Sequence, residues 1–374
     1  MLEQKNIRVL YDEQIFLLQR QGGISVYFLE IIKQFKSHPE LGVTPVLAGS
    51  KFRNSYLSIN LGSDRSALSS TIGVLVEIFL TSIRNRRPAR IADIVHHTFY
   101  LPGYLARFPG LPKVSTLFDM IPEYADSGIR LWSPHFRKKS YLKHSGAVVS
   151  ISDSSTADMR RRYGFSFPVQ TTYLGASSEF TPGLPRHSSL PIRYLLFVGN
   201  RGGYKNAKLA FEAFSEVAHS DKEVFLVLCG GGPLSHQEIR MLENLGIKDQ
   251  IVQRDFPYHE LPTVYATALA LLYPTRYEGF GLPLVEAMAS GIPVLASSTP
   301  INHEIAGSAA SYFSLDSRAE LTELIKEALA GSMSLKAKVE EGISRAKTFS
   351  WYRCAELTAK TYREVLLKEG GEPR

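Results

Sequence analysis

Residues 273–294 of this chain run Tyr-Pro-Thr-Arg-Tyr-Glu-Gly-Phe-Gly-Leu-Pro-Leu-Val-Glu-Ala-Met-Ala-Ser-Gly-Ile-Pro-Val. That order of residue types leaves few folds open. It reads as strand, glycine-punctuated loop, short helix and strand. Gly279 and Gly281 let the backbone approach a ligand with no Cβ in the way. Pro283 suits the first turn of a helix, where its missing N–H costs nothing. The amides of that turn can face an anion. Two carboxylates, Glu278 and Glu286, lie on either side of the turn. A phosphate cradle and two acceptors for hydroxyls thus share one segment, which is the chemistry of a nucleotide-sugar site.

The same alternation runs through the whole chain. Strands are expected at residues 7–11, 44–48, 94–97, 114–118 and 147–150, with a helix over 24–35 and a helix start at Ser152. Residues 177–191, rich in Ser, Pro and Gly, read as a linker. A second series follows, with strands at 194–198, 224–229, 251–253, 268–273 and 293–296, and a helix at 207–218. The last third is helical, over 319–330, 336–348 and 351–368. Strand–helix alternation in both halves predicts two parallel-sheet α/β domains, and 374 residues suit two. Ligands of such sheets bind beyond the carboxyl ends of the strands. The glycine-rich loops at 199–203 and 230–232 both follow strands.

Composition narrows the partners. Cys229 and Cys354 are far apart and give neither a disulfide framework nor a zinc spacing, which fits a reducing, cytoplasmic setting. The first residues lack the apolar core of a signal peptide. Residues 71–83 are too short to span a membrane and include Glu77; they suit an amphipathic helix, with packing on their own domain as the favoured reading. The net charge of +7 gathers at 84–90, 137–139 and 160–162. These clusters suit either anionic head groups or a phosphorylated acceptor, or simply a solvated basic face. No aromatic–basic module argues for nucleic acid. No Asp-x-Asp pair or helical histidine spacing argues for a metal.

In these motifs the chain resembles the retaining glycosyltransferases of family 4, which have the GT-B fold. The resemblance rests on the Glu278–Glu286 segment, on Phe197-Val198-Gly199-Asn200-Arg201 with Lys205-Asn206, on Gly22-Gly23-Ile24-Ser25, and on Tyr173-Leu174-Gly175-Ala176. It implies two Rossmann-like domains facing across a cleft: residues 1–185 with 352–374 on the acceptor side, and 190–351 binding the nucleotide sugar. The last helix would return to the first domain. By the same resemblance, Glu286 accepts hydrogen bonds from the ribose, and Glu278 holds hydroxyls of the donor sugar. The amides around Gly279, Phe280, Gly281 and Leu282 meet the sugar and distal phosphate. Arg201 and Lys205 neutralise the departing diphosphate, and Gly22 and Gly23 approach it from the other wall. A carboxylate suits a pair of hydroxyls because it accepts at both oxygens. A cation at the leaving phosphate stabilises charge as it develops.

Two departures qualify the resemblance. Val26 stands where relatives often carry Arg, and Phe118 precedes Asp119 where many carry His. No catalytic histidine can be carried over, because Phe118 neither hydrogen-bonds nor moves a proton. Asp119 then orients acceptor or sugar groups, or serves as a turn or helix cap. Adjacent His96 and His97 point to opposite faces of a strand, so at most one reaches the cleft. His97 is the candidate acceptor contact, with a structural role for both as the alternative.

The expected reaction is metal-independent transfer of a hexose with retention, by a front-face route that needs no protein base. Residues 12–16 and 22–28 resemble mannosyltransferases of bacterial surface-polysaccharide assembly, which makes GDP-mannose the first expectation and a UDP-sugar the second. The acceptor would be a lipid-linked oligosaccharide at the inner face of the plasma membrane, with the enzyme cytoplasmic or peripherally bound there. A nucleotide-sugar epimerase and a non-catalytic sugar-nucleotide-binding subunit are the rival classes. The joint presence of Glu278, Glu286, Arg201 and Lys205 argues against the second.

Overall fold

The structure, a computed structural model, describes residues 6–19, 22–48, 92–124 and 135–370. The expected amphipathic run at 71–83 and the basic cluster at 84–90 lie outside the described residues. The chain forms two compact units, Met1–Leu174 with Trp351–Arg374, and Gly175–Ser350.

The first unit holds six parallel strands: β1 (Ile7–Tyr11), β2 (Val43–Leu47), β3 (Ile94–His97), β4 (Lys113–Leu117), β5 (Ala147–Ser150) and β6 (Val169–Thr171). Their order is β2-β1-β3-β4-β5-β6. The helix Gly23–Ser37 buries Tyr27, Phe28, Ile31, Ile32 and Phe35, spaced on one face. The C-terminal helix Trp351–Lys368 belongs to this unit, as expected. Its Trp351, Cys354, Ala355, Thr358, Ala359 and Tyr362 form the buried stripe. Tyr362 reaches the sheet, where its hydroxyl meets that of Tyr11 at 2.8 Å and His96 Nδ1 at 2.6 Å.

The second unit repeats the plan with β7 (Arg193–Val198), β8 (Val224–Cys229), β9 (Ile251–Gln253), β10 (Leu271–Tyr273), β11 (Val294–Ser297) and β12 (Ala310–Phe313). The order is β12-β11-β10-β7-β8-β9, again all parallel. One core joins Leu195 and Phe197 of β7, Leu226 and Leu228 of β8, and Phe211 and Phe214 of the helix Ala207–Ala218. Each such side chain, fully buried, contributes about 1.5–3 kcal/mol. The strand expected from residue 268 starts at Leu271, because the Ala268 N–H closes the preceding turn on the Tyr265 carbonyl. β6 and β12 were not anticipated. Val-Gln-Thr and Ala-Ser-Tyr-Phe are too short and mixed to show a strand pattern.

In each sheet the order in which successive strands are added reverses once. In the first unit β1 lies between β2 and β3; in the second β7 lies between β8 and β10. The loops leaving the two strands at such a point diverge and open a crevice at their carboxyl ends.

Candidate functional site

Two loops meet at the β7–β10 crevice. Residues 199–206 leave β7 and enter the helix Ala207–Ala218. Residues 274–281 leave β10 and enter the helix Leu282–Ala289. Gly281 caps the second helix at φ 100, and a Cβ there would lie 3.2 Å from both Tyr273 Oη and Leu284 Cδ1. The Arg276 N–H donates to the Tyr204 carbonyl at 2.7 Å and ties the two loops together. Lys205 Nζ then donates to Glu278 Oε1 at 2.6 Å. The lysine also sits 5.3 Å from the Tyr273 ring centre, where a cation is attracted to the aromatic face. Both members of the pair keep some access to solvent, with side chains 12% and 9% exposed.

Glu286 lies deeper. It is buried in the helix Leu282–Ala289 and accepts from Tyr265 Oη at 2.7 Å. Burial pushes its carboxyl up to about 7, although the Tyr265 and Tyr258 hydroxyls pull it back toward the ionised form. Phe280 is core: its buried ring packs edge-on against Phe349 at 5.7 Å. Leu282 is half-buried at the first helical position, and Gly279 is buried.

Arg201 faces elsewhere. Its Nε donates to Glu238 Oε1 at 2.6 Å, and its Nη1 to the Gly230 carbonyl at 2.6 Å. Nη2 reaches the Gly232 and Pro233 carbonyls at 2.9 and 3.0 Å. The structure therefore brings Lys205 to Glu278, and Arg201 to the loop after β8.

The first unit's candidates are more enclosed. His97 Nδ1 lies 2.7 Å from Asp12 Oδ2, with both side chains fully buried. Burial pushes the Asp12 carboxyl up, but hydrogen bonds from His97 and Thr98 outweigh it and hold it below its ordinary value. His96 points to the other side, its Nε2 2.7 Å from Thr116 Oγ1; burial and the neighbouring His97 push it down to about 3. Asp119 Oδ1 accepts from the Ile121 N–H at 3.1 Å and so caps the short helix Ile121–Tyr124. Phe118 is buried edge-on against Tyr27 at 5.3 Å and Phe28 at 5.8 Å. Gly22 is extended, and the helix starts at Gly23; a Cβ on Gly22 would meet Gln19 Oε1 at 2.5 Å.

The basic clusters divide. Arg137, Lys139 and Arg160, Arg161 and Arg162 are exposed. Lys138 is buried and donates to Glu123 Oε2 at 2.9 Å, so it is no part of a solvated face. Tyr265 and Glu238 were not singled out from the sequence. Their partners lie 21 and 37 residues away, and only the folded sheet brings them together. Among the described residues no group of three or more His, Cys, Asp or Glu side chains could hold a metal ion, and no helix is long and apolar enough to cross a membrane.

The sequence profile described as glycosyl transferases group 1 matches residues 189–345, a span that carries Arg201, Lys205, Glu278 and Glu286. O-antigen chain mannosyltransferase B of Escherichia coli is 25% identical, over 91% of this chain and 96% of that protein. The MMP alpha-(1->4)-mannosyltransferase of Mycolicibacterium hassiacum is 32% identical, over 74% of this chain and 71% of that protein. Among solved structures, sucrose-phosphate synthase from Thermosynechococcus elongatus superposes with a TM-score of 0.72 at 17% identity, covering 97% of this chain and 100% of the other. WaaG, a glycosyltransferase involved in lipopolysaccharide biosynthesis, gives a TM-score of 0.66 at 17% identity, with 95% and 99% covered. The fold, two six-stranded parallel sheets with helices, is GT-B. The chain is a glycosyltransferase and belongs to the group 1 family.

Proposed function

We propose that the second unit holds a nucleoside diphosphate sugar and that the enzyme transfers mannose from GDP-mannose to a hydroxyl of a lipid-linked glycan, with retention at the anomeric carbon. The observation that carries the donor site is the Lys205–Glu278 pair, 2.6 Å apart at the β7–β10 crevice. It sets a phosphate-binding cation beside an acceptor for sugar hydroxyls. Glu286 is the ribose acceptor on the following helix. Mannose is favoured by the relatives named as mannosyltransferases, among them the O-antigen enzymes of Escherichia coli and Salmonella typhimurium.

In this reading the bond from the anomeric carbon to the phosphate oxygen breaks, and the diphosphate leaves with the bonding pair. Lys205 neutralises the charge that develops there. The acceptor oxygen attacks from the face the phosphate vacates, and its proton passes to the departing phosphate. The route needs positioning and leaving-group stabilisation but no protein base, which suits the buried Phe118. The exposed arginines of the helix Asp153–Tyr163, with Arg137 and Lys139, support peripheral contact with anionic lipid at the cytoplasmic face.

A screen of GDP- and UDP-sugars, read by acceptor-dependent nucleotide release, tests the assignment. Release from GDP-mannose is expected. Turnover of UDP-sugars alone would replace the donor, and donor turnover without any acceptor would favour epimerisation or hydrolysis. Activity is expected to survive EDTA; a strict requirement for added Mn²⁺ would contradict the mechanism.

A further inference from the structure

The family resemblance points Arg201 at the diphosphate, but its side chain is committed to another task. It is 3% exposed. A guanidinium carries five N–H donors, and four are taken by Glu238 Oε1 and the carbonyls of Gly230, Gly232 and Pro233. Local backbone chemistry explains the arrangement. Gly230, Gly231 and Gly232 all lie in the left-handed region, at φ 96, 83 and 69. Only glycine takes that run at little cost, and the resulting curl turns successive carbonyls toward one point. The wrap is close: a Cβ on Gly231 would lie 2.8 Å from Arg201 Nη1.

Glu238 anchors the arrangement from the other side. Its Oε2 accepts from the Ser235 N–H at 2.7 Å and closes the capping box of the helix His236–Asn244, while Oε1 holds Arg201. One carboxylate thus couples the arginine to a helix start. The clamped loop also borders the donor cradle. A Cβ on Gly230 would lie 3.4 Å from the backbone of Gly199, and one on Gly199 would lie 3.4 Å from Lys205 Cε.

We propose that Arg201 is a positioning residue for the donor, acting through the Gly230–Gly232 loop and oriented by Glu238, rather than a cation that touches the diphosphate. Lys205 is then the side chain that meets the leaving phosphate. The inference rests on the donor-site reading above.

The test uses the full chain, with calorimetric titration of GDP and UDP and steady-state kinetics for Arg201→Ala, Glu238→Gln and the double variant. Positioning predicts that both single variants raise the nucleoside diphosphate Kd and the donor KM about tenfold, with kcat within about threefold. The double variant should be no worse than the poorer single one, because the two residues act as a unit. Glu238→Asp, which keeps the charge, should recover part of the affinity. Thermal unfolding confirms that each variant is folded at the assay temperature. A kcat loss of about 10²-fold or more in Arg201→Ala, with Glu238→Gln at or above the wild-type rate, would instead mark direct phosphate contact and overturn the proposal. So would unchanged affinity in Glu238→Gln when the wild type binds nucleotide. If the wild type binds neither GDP nor UDP, the donor-site reading itself fails.

Discussion

The two units place a hydrogen-bonded pair of ionisable side chains at the same topological position. In the second, Lys205 and Glu278 bridge the loops leaving β7 and β10. In the first, Asp12 follows β1, and His97 ends β3 at the corresponding reversal. Their surroundings differ. Lys205 and Glu278 keep 12% and 9% of their side-chain surface in solvent, whereas Asp12 and His97 keep none. Asp12 also accepts from the Thr98 backbone, the Thr98 hydroxyl and Gln14 Nε2. Beside it, Glu13 holds Arg107 and Tyr104. The same topological position thus carries two different arrangements. Asp12 is surrounded by the protein's own donors, while Lys205 and Glu278 stay partly open to solvent.

The largest effect is expected at the sealed pair. Asp12→Ala leaves several buried donors without an acceptor and should destabilise the fold by about 3–5 kcal/mol, read by denaturant unfolding. Activity per folded molecule should change far less; normal stability with lost activity would make this pair functional and erase the contrast. Next is Lys205→Ala, with a fall in kcat of about 10²-fold and a small change in stability. A near-wild-type rate would remove the leaving-group role.

The smallest effect sharpens the contrast within the second unit. Ribose hydroxyls donate best to an ionised carboxylate, and Glu286 is pushed up to about 7 by burial. Nucleotide affinity should therefore rise about tenfold between pH 6 and pH 8, and Glu286→Gln should flatten that dependence. The same shift has a stability consequence of defined sign. A carboxyl raised in the folded state favours folding below its ordinary value of 4.5, and this contribution is lost as pH rises through about 7.

Local chemistry explains which parts were legible in sequence. The 273–294 segment declares strand, loop and helix because its glycines, Pro283 and apolar runs act within a few residues. The helix over residues 351–368 was readable from its apolar spacing, and Ser152 from its capping chemistry: its hydroxyl accepts the Ser155 N–H at 3.0 Å. What stayed hidden depends on distant partners. Nothing near Arg201 indicates that Glu238 and the carbonyls of Gly230, Gly232 and Pro233 will hold it. Residue type alone did not show that His97 would meet Asp12, or that Asp119 would accept from the Ile121 N–H. The alternation rule correctly put His96 and His97 on opposite faces, yet both sides proved to be packed.

The β7–β10 crevice is the proposed nucleotide site. Calorimetric titration of the chain with GDP and with UDP tests that proposal most directly. Saturable binding of one nucleotide per chain is expected, weakened at least about tenfold in Glu286→Ala, as for loss of a charged hydrogen-bond acceptor. No detectable binding of either nucleotide, or binding indifferent to Glu286, would contradict it.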